Sequence, residues 1–126
     1  MNTPVSFELA KLLKEKEFDE PTKVWHQRGN GIVGCVEGQR DFFNRKGDVY
    51  TSAPTIAEVV MWLYEKHGIW IRVTPIPYSD NLTHWRWEHM STNYFTRNLK
   101  WKKEQDYMSP TEAYEAAIEY TLNNLI

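Results

Sequence analysis

Few residues of this sequence have the chemistry and spacing that catalysis requires. Cys35 is the one cysteine, and His26 would lie beside it only if the strands that carry the two residues were paired. A cysteine–histidine pair also needs an orienting acid and an oxyanion site, and neither has a recognisable pattern here. A single free cysteine is more often a small buried apolar residue. The sequence therefore favours a protein that is not an enzyme.

Signals for metal and nucleotide sites are equally weak. His84 and His89 are five residues apart, which places them on opposite faces of a strand rather than beside one metal ion. The run from Gly29 to Gly34 has the spacing of a dinucleotide fingerprint, but a β-type run follows it where the fingerprint needs a helix. We predict no cofactor and no metal ion at these positions.

Aromatic and basic residues form the one pattern that indicates a function. Six Trp, seven Tyr and five Phe make up 14% of the chain, more than a small domain can bury completely. Such residues stack on bases and pair with phosphates in nucleic-acid binders, and they are also typical of protein interfaces. The candidate binding residues are Trp85, Arg86, Trp87, Phe95, Arg97, Lys100, Trp101, Lys102 and Lys103.

Charge and alternation decide between these two functions. Lys and Arg number 15 against 17 Asp and Glu, whereas nucleic-acid affinity depends on neutralising phosphates. Trp85 and Trp87 share one strand face, which is typical of a face packed under a helix. We therefore favour binding to a protein partner, with a second copy of the chain as one candidate. Weak nucleic-acid binding by residues 97–103 and neighbouring aromatics is the alternative.

Length and composition indicate one soluble domain over residues 1–126. Apolar residues make up 41% and charged residues 25% of the chain, which is ordinary for a globular protein. No apolar run approaches the roughly 20 residues that a membrane span needs. The first residues lack the pattern of a secretory signal, and one cysteine cannot form an internal disulfide. We expect a cytoplasmic protein.

Three helices are predicted from apolar spacing and capping residues. The first covers Pro4 to about Lys16, capped by Thr3 or Ser6. The second helix begins with a capping box of Thr55 and Glu58 and stops at Gly68. The third begins with the capping-box sequence SPTE at residues 109–112 and runs to about residue 125.

Strands are predicted between the helices. Residues 24–27 and 32–36 flank an Asn-Gly turn and indicate a hairpin, or a three-strand meander with residues 49–50. Residues 69–76 and 83–90 alternate in polarity and indicate an antiparallel pair. The element order predicts an α+β fold, in which a small antiparallel sheet carries about three helices mainly on one face.

Three blocks of the sequence also carry a family resemblance. They are AKLLKEK followed by FDEP at residues 10–21, SAPT through EKH and Ile69 at residues 52–69, and SPTEAYEAA at residues 109–117. In this order the blocks resemble small phage and prophage proteins of Bacteroides-type gut bacteria, a group without assigned catalytic or binding residues. The resemblance implies an accessory protein of a phage or mobile element that acts in a bacterial cytoplasm.

Overall fold

The computed structural model describes residues 3–27, 32–34, 44, 50–76, 84–91 and 107–126. These residues form an α+β fold, which confirms the predicted class. The elements in chain order are α1 (Phe7–Glu15), β1 (Val24–Gln27), β2 (Ile32–Gly34), β3 (Tyr50–Ser52), α2 (Ile56–His67), β4 (Ile69–Pro75), β5 (Trp85–Ser91) and α3 (Pro110–Asn124).

The strands form two sheets where the sequence predicted one. The first sheet has the order β2-β1-β3, and both pairings are antiparallel. The predicted hairpin of β1 and β2 is confirmed, but β3 lies on the other side of β1, so the three strands are not a meander. Strand β3 ends at Ser52, and Pro54, which has no N–H to donate, follows just beyond it.

The second sheet is the predicted antiparallel pair of β4 and β5. Its register runs from Ile69 opposite Ser91 to Pro75 opposite Trp85. Because side chains alternate along each strand, the pair has two distinct faces. The inner face contributes Ile71 and Trp87 to the core, and the outer face carries the side chains at positions 70, 72, 86 and 88.

Helix α1 begins later than the sequence predicted. Ser6 caps it by accepting a hydrogen bond from the Leu9 N–H, whereas Pro4 pairs with Thr55 in an isolated β-bridge. Glu17 follows the helix with a φ of 66°, and the Phe18 N–H donates to the Leu13 carbonyl. A left-handed residue in this hydrogen-bond pattern is typical of a helix C-terminus, although glycine is usual at that position.

The other two helices have the cap residues that the sequence predicted, but the α3 cap lacks one of the two hydrogen bonds of a capping box. Thr55 and Glu58 form a complete capping box, and Gly68 ends α2 with a φ of 66°. Ser109 caps α3 by accepting from the Glu112 N–H, but the Glu112 carboxylate accepts from the Met108 N–H, one residue before the cap. The α3 motif is therefore half of a capping box.

The core lies where α2 and α3 pack on the inner face of the β4–β5 pair and α1 packs beside α3. Helix α3 packs across both strands, α2 packs on β4, and α1 contacts β3 and α3. Ala113 and Ala117 are fully buried, and such small side chains allow α3 to approach closely. The largest fully buried side chains include Phe18, Leu13, Ile56, Leu63, Ile71, Ile118 and Leu122.

Candidate functional site

The predicted binding residues fall into two groups. Trp85, Arg86 and Trp87 lie on β5. The other six, namely Phe95, Arg97, Lys100, Trp101, Lys102 and Lys103, lie outside the described residues. The structure therefore describes only the strand part of the predicted surface.

Trp87 belongs to the core side of β5. It is half-buried against the core, and its ring centroid lies 5.1 Å from that of Tyr120 on α3 and 5.9 Å from that of His89. Its indole N–H is buried and has no hydrogen-bond partner in the described part of the chain. Trp85 is also half-buried, and its backbone pairs with Tyr107. Both tryptophans thus have structural contacts of their own.

Arg86 points to the outer face, where it shares a carboxylate with a second arginine. Glu88 is almost fully buried and accepts a hydrogen bond from Arg72, its cross-strand partner, at 2.5 Å. Its other oxygen lies 3.8 Å from Arg86 Nε. One carboxylate therefore compensates two guanidinium groups, which leaves this part of the sheet with a net positive charge.

Exposed apolar side chains form a ridge beside this charged group, and we call Met61, Tyr64, Trp70 and Met90 the ridge. Their exposed fractions are 44%, 46%, 38% and 50% respectively. Tyr64 and Trp70 meet edge to face, with 5.6 Å between ring centroids, and Trp70 lies directly opposite Met90 across the strand pair. Met61 precedes Tyr64 by one helical turn and so lies on the same side of α2.

An acidic groove adjoins the ridge at Met61. Its volume is about 360 Å³, and Pro21, Ala57 and Trp62 contribute its apolar lining. The carboxylates around it are those of Glu20, Glu58 and Glu65. This end of the ridge therefore combines apolar surface with negative charge.

Among the described residues, the remaining candidates for chemistry are not grouped as a metal site. His26 is buried, and its Nε2 lies 3.0 Å from the Val5 carbonyl, which fixes Nε2 as the protonated nitrogen. Cys35 lies outside the described residues. Within residues 3–27, 32–34, 44, 50–76, 84–91 and 107–126, no three His, Cys, Asp or Glu side chains are grouped as metal ligands. None of the described helices has the length and apolar character of a membrane span.

His89 has the one clearly shifted pKa among the described groups. It lies on the inner face of β5 beside Tyr120, and burial lowers the pKa of its imidazole below the ordinary value of 6.5. The unfolded chain therefore binds a proton at a higher pH than the folded chain does. As a consequence, protonation below about pH 6.5 favours unfolding.

We expect the free energy of unfolding to fall between pH 7.5 and pH 5.5, and part of that fall to disappear in His89→Gln. Urea titrations at the two pH values measure it. The control is Asn123→Ala, an exposed substitution that removes no ionisable group, retains His89 and should show the same decline as the wild type. Equal declines in all three proteins would contradict the assignment to His89.

No protein family, curated protein or solved structure matches this chain. The resemblance to small phage and prophage proteins therefore stays a prediction.

The ridge was not predicted from the sequence, although all four of its side chains are large and largely apolar. Trp70 lies on the polar side of an alternating strand, where a large apolar side chain is unusual for a solvated face. The position of Trp70 was therefore the feature of the sequence that could have indicated the ridge. Its neighbours could not be found in the same way, because Tyr64 and Met90 reach Trp70 only through the packing of α2 and the register of β5.

Proposed function

We propose that this protein is a binding domain for another protein, and that the ridge is its contact surface. The observation that carries the proposal is the grouping of three exposed apolar side chains from three elements: Tyr64 meets Trp70 edge to face, and Met90 lies opposite Trp70 across the strand pair. Tryptophan, tyrosine and methionine are enriched at protein interfaces, and a few such residues supply most of the binding free energy.

Charge at the Met61 end of the ridge supports a partner with basic residues there, since the arginines of β4 and β5 lie at the other end. Glu58 and Glu65 lie on the exposed side of α2, on the two sides of Met61 in sequence, and Glu20 lies across the adjoining groove. A partner that places an apolar side chain on the ridge and Lys or Arg at its margin would complement both properties. The same carboxylates would repel nucleic-acid phosphates from the Met61 end, which supports a protein partner there.

The proposal is tested by comparing two double variants of the full chain as capture baits. Trp70→Ala with Met90→Ala removes the centre of the ridge, while Met108→Ala with Leu125→Ala removes equally exposed apolar side chains elsewhere. We expect a protein partner whose affinity, measured with the purified pair, falls at least tenfold in the ridge variant. The control variant should bind it like the wild type.

Two results would overturn the proposal. The first is that no captured protein loses affinity in the ridge variant. The second is that capture requires nucleic acid and disappears after nuclease treatment. That second result would support the alternative of nucleic-acid binding through residues 97–103. Light scattering identifies the special case of self-association, since a dimer built on the ridge should become a monomer in the ridge variant. Circular dichroism verifies that both variants are folded.

A further inference from the structure

A groove of about 390 Å³ runs between α1 and α3, apart from the ridge. Its apolar lining comes from Leu9 and Leu12 on α1 and from Ala116 on α3, and Tyr107 lies at its margin. Leu12 and Ala116 are only half-buried, although both helices contribute other residues to the core. The groove thus has room for an apolar side chain that the described residues do not supply.

Four carboxylates surround this apolar lining, those of Glu8, Glu112, Glu115 and Glu119. Two of them are held by backbone hydrogen bonds: the Ser6 N–H donates to Glu115 at 3.0 Å, and the Met108 N–H donates to Glu112 at 3.2 Å. Glu8 and Glu119 have no hydrogen-bond or ion-pair partner within the described residues. The groove therefore combines fixed acidic groups with two that are available.

The cations of α1 are directed elsewhere. Lys11 lies over the Phe7 ring, 5.2 Å from its centroid. Lys14 donates to the Tyr50 carbonyl at 3.0 Å, and Lys16 donates to the Ile126 carbonyl at 3.2 Å. Helix α3 carries no lysine, arginine or histidine. The negative charge of the groove is thus left without compensation from the helices that form it.

We propose that this groove binds a basic amphipathic segment of a protein partner. An apolar side chain of the segment lies against Leu9, Leu12 and Ala116, and lysine or arginine side chains on either side of it pair with Glu8 and Glu119. A single metal ion does not suit the groove, because no three of its carboxylates are grouped as ligands for one ion. Carboxylates that are spread along a groove match the spaced cations of a peptide.

The inference rests on the protein-binding function proposed above, but it uses a separate surface. Its probe is a fluorescein-labelled synthetic peptide of 14 residues with leucine at helical spacing and lysine elsewhere, compared with the same peptide carrying glutamate for lysine. We expect the full chain to bind the lysine peptide at low salt and not the glutamate peptide, with anisotropy as the readout.

Two double variants separate the groove from general attraction to an acidic protein. Glu8→Gln with Glu119→Gln should weaken peptide binding about 3- to 10-fold, the loss expected from two partly exposed ion pairs. Glu15→Gln with Asp19→Asn removes the same charge at exposed positions outside the groove. That control should change the affinity less than about twofold.

A third variant tests the shape. Ala116→Tyr fills the groove without changing its charge and should weaken binding at least tenfold. Independently of any variant, backbone amide shifts of the wild-type chain on adding the peptide should be largest in α1 and α3, which keeps the test valid if Ala116→Tyr does not fold.

Three results would overturn the inference: no binding of the lysine peptide, equal losses in the two charge variants, or amide shifts concentrated outside α1 and α3. Failure of the inference is distinguishable from failure of the proposed function. Trp70→Ala with Met90→Ala should leave peptide affinity unchanged, because the ridge is not part of the groove. A partner that is lost with the ridge variant and kept by all groove variants would refute the groove alone.

Discussion

Replacing Phe18 with alanine should lower the free energy of unfolding by about 3 to 5 kcal/mol. Phe18 is 1% exposed, follows the C-terminus of α1, and meets Trp62 of α2 edge to face with 5.2 Å between ring centroids. The substitution removes a whole ring from the contact between the segment after α1 and helix α2, and it leaves a cavity there. Because domains of this size unfold with about 5 to 15 kcal/mol, the loss is a large share of the total.

Urea denaturation followed by circular dichroism measures this loss, and Phe7→Ala is the matched control. Phe7 is the first residue of α1 and only half-buried; its ring meets that of His26 edge to face and lies beneath the Lys11 ammonium. We expect its substitution to cost about half as much or less, because less apolar surface returns to water. Similar losses at the two positions would mean that Phe18 is not the centre of the core.

Asn44→Ala should lower the free energy of unfolding by about 2 to 5 kcal/mol, although it removes no apolar contact. The Asn44 amide donates to the Phe18 carbonyl at 3.0 Å, and its oxygen accepts from the Ser52 N–H at 2.8 Å. Phe18 and Ser52 are each 1% exposed, so the loss of Asn44 leaves a buried carbonyl and a buried N–H without partners. Each such group costs about 1 to 3 kcal/mol.

Asn124→Ala is the control for this second prediction, with thermal and urea unfolding as the measurements. The Asn124 amide also donates to a backbone carbonyl, that of Tyr120 at 3.0 Å, but this hydrogen bond is exposed to water. Its loss should change stability by no more than about 0.5 kcal/mol. If Asn44→Ala were as mild, water must replace the amide between Phe18 and Ser52.

The parts of the fold that were predictable from the sequence are those set by neighbours in the chain. Thr55 and Glu58 lie three residues apart and satisfy each other's backbone, and Gly68 adopts the left-handed conformation that glycine permits. Alternation gave the β4–β5 pair in the same way. Such signals are local, so they do not depend on how the elements pack.

The features that could not be predicted depend on tertiary packing. Glu17 adopts a left-handed conformation that its residue type disfavours. The next residue, Phe18, is buried in the core, and this burial offsets the cost of the conformation at Glu17. Asn44 joins two segments that are 26 and 8 residues away from it. The approach of α1 turns the surface that carries the acidic side chains of α3 into one wall of a groove, which residue spacing within α3 does not indicate.

The packing of α1 against α3 also has a consequence for synthesis on the ribosome. The hydrogen bond from Ser6 to Glu115 joins residues 109 positions apart. At ordinary elongation rates, about 5 to 20 s therefore pass between the synthesis of α1 and the synthesis of α3. During that interval the apolar side chains of Leu9 and Leu13, which are buried in the folded chain, have no α3 to cover them.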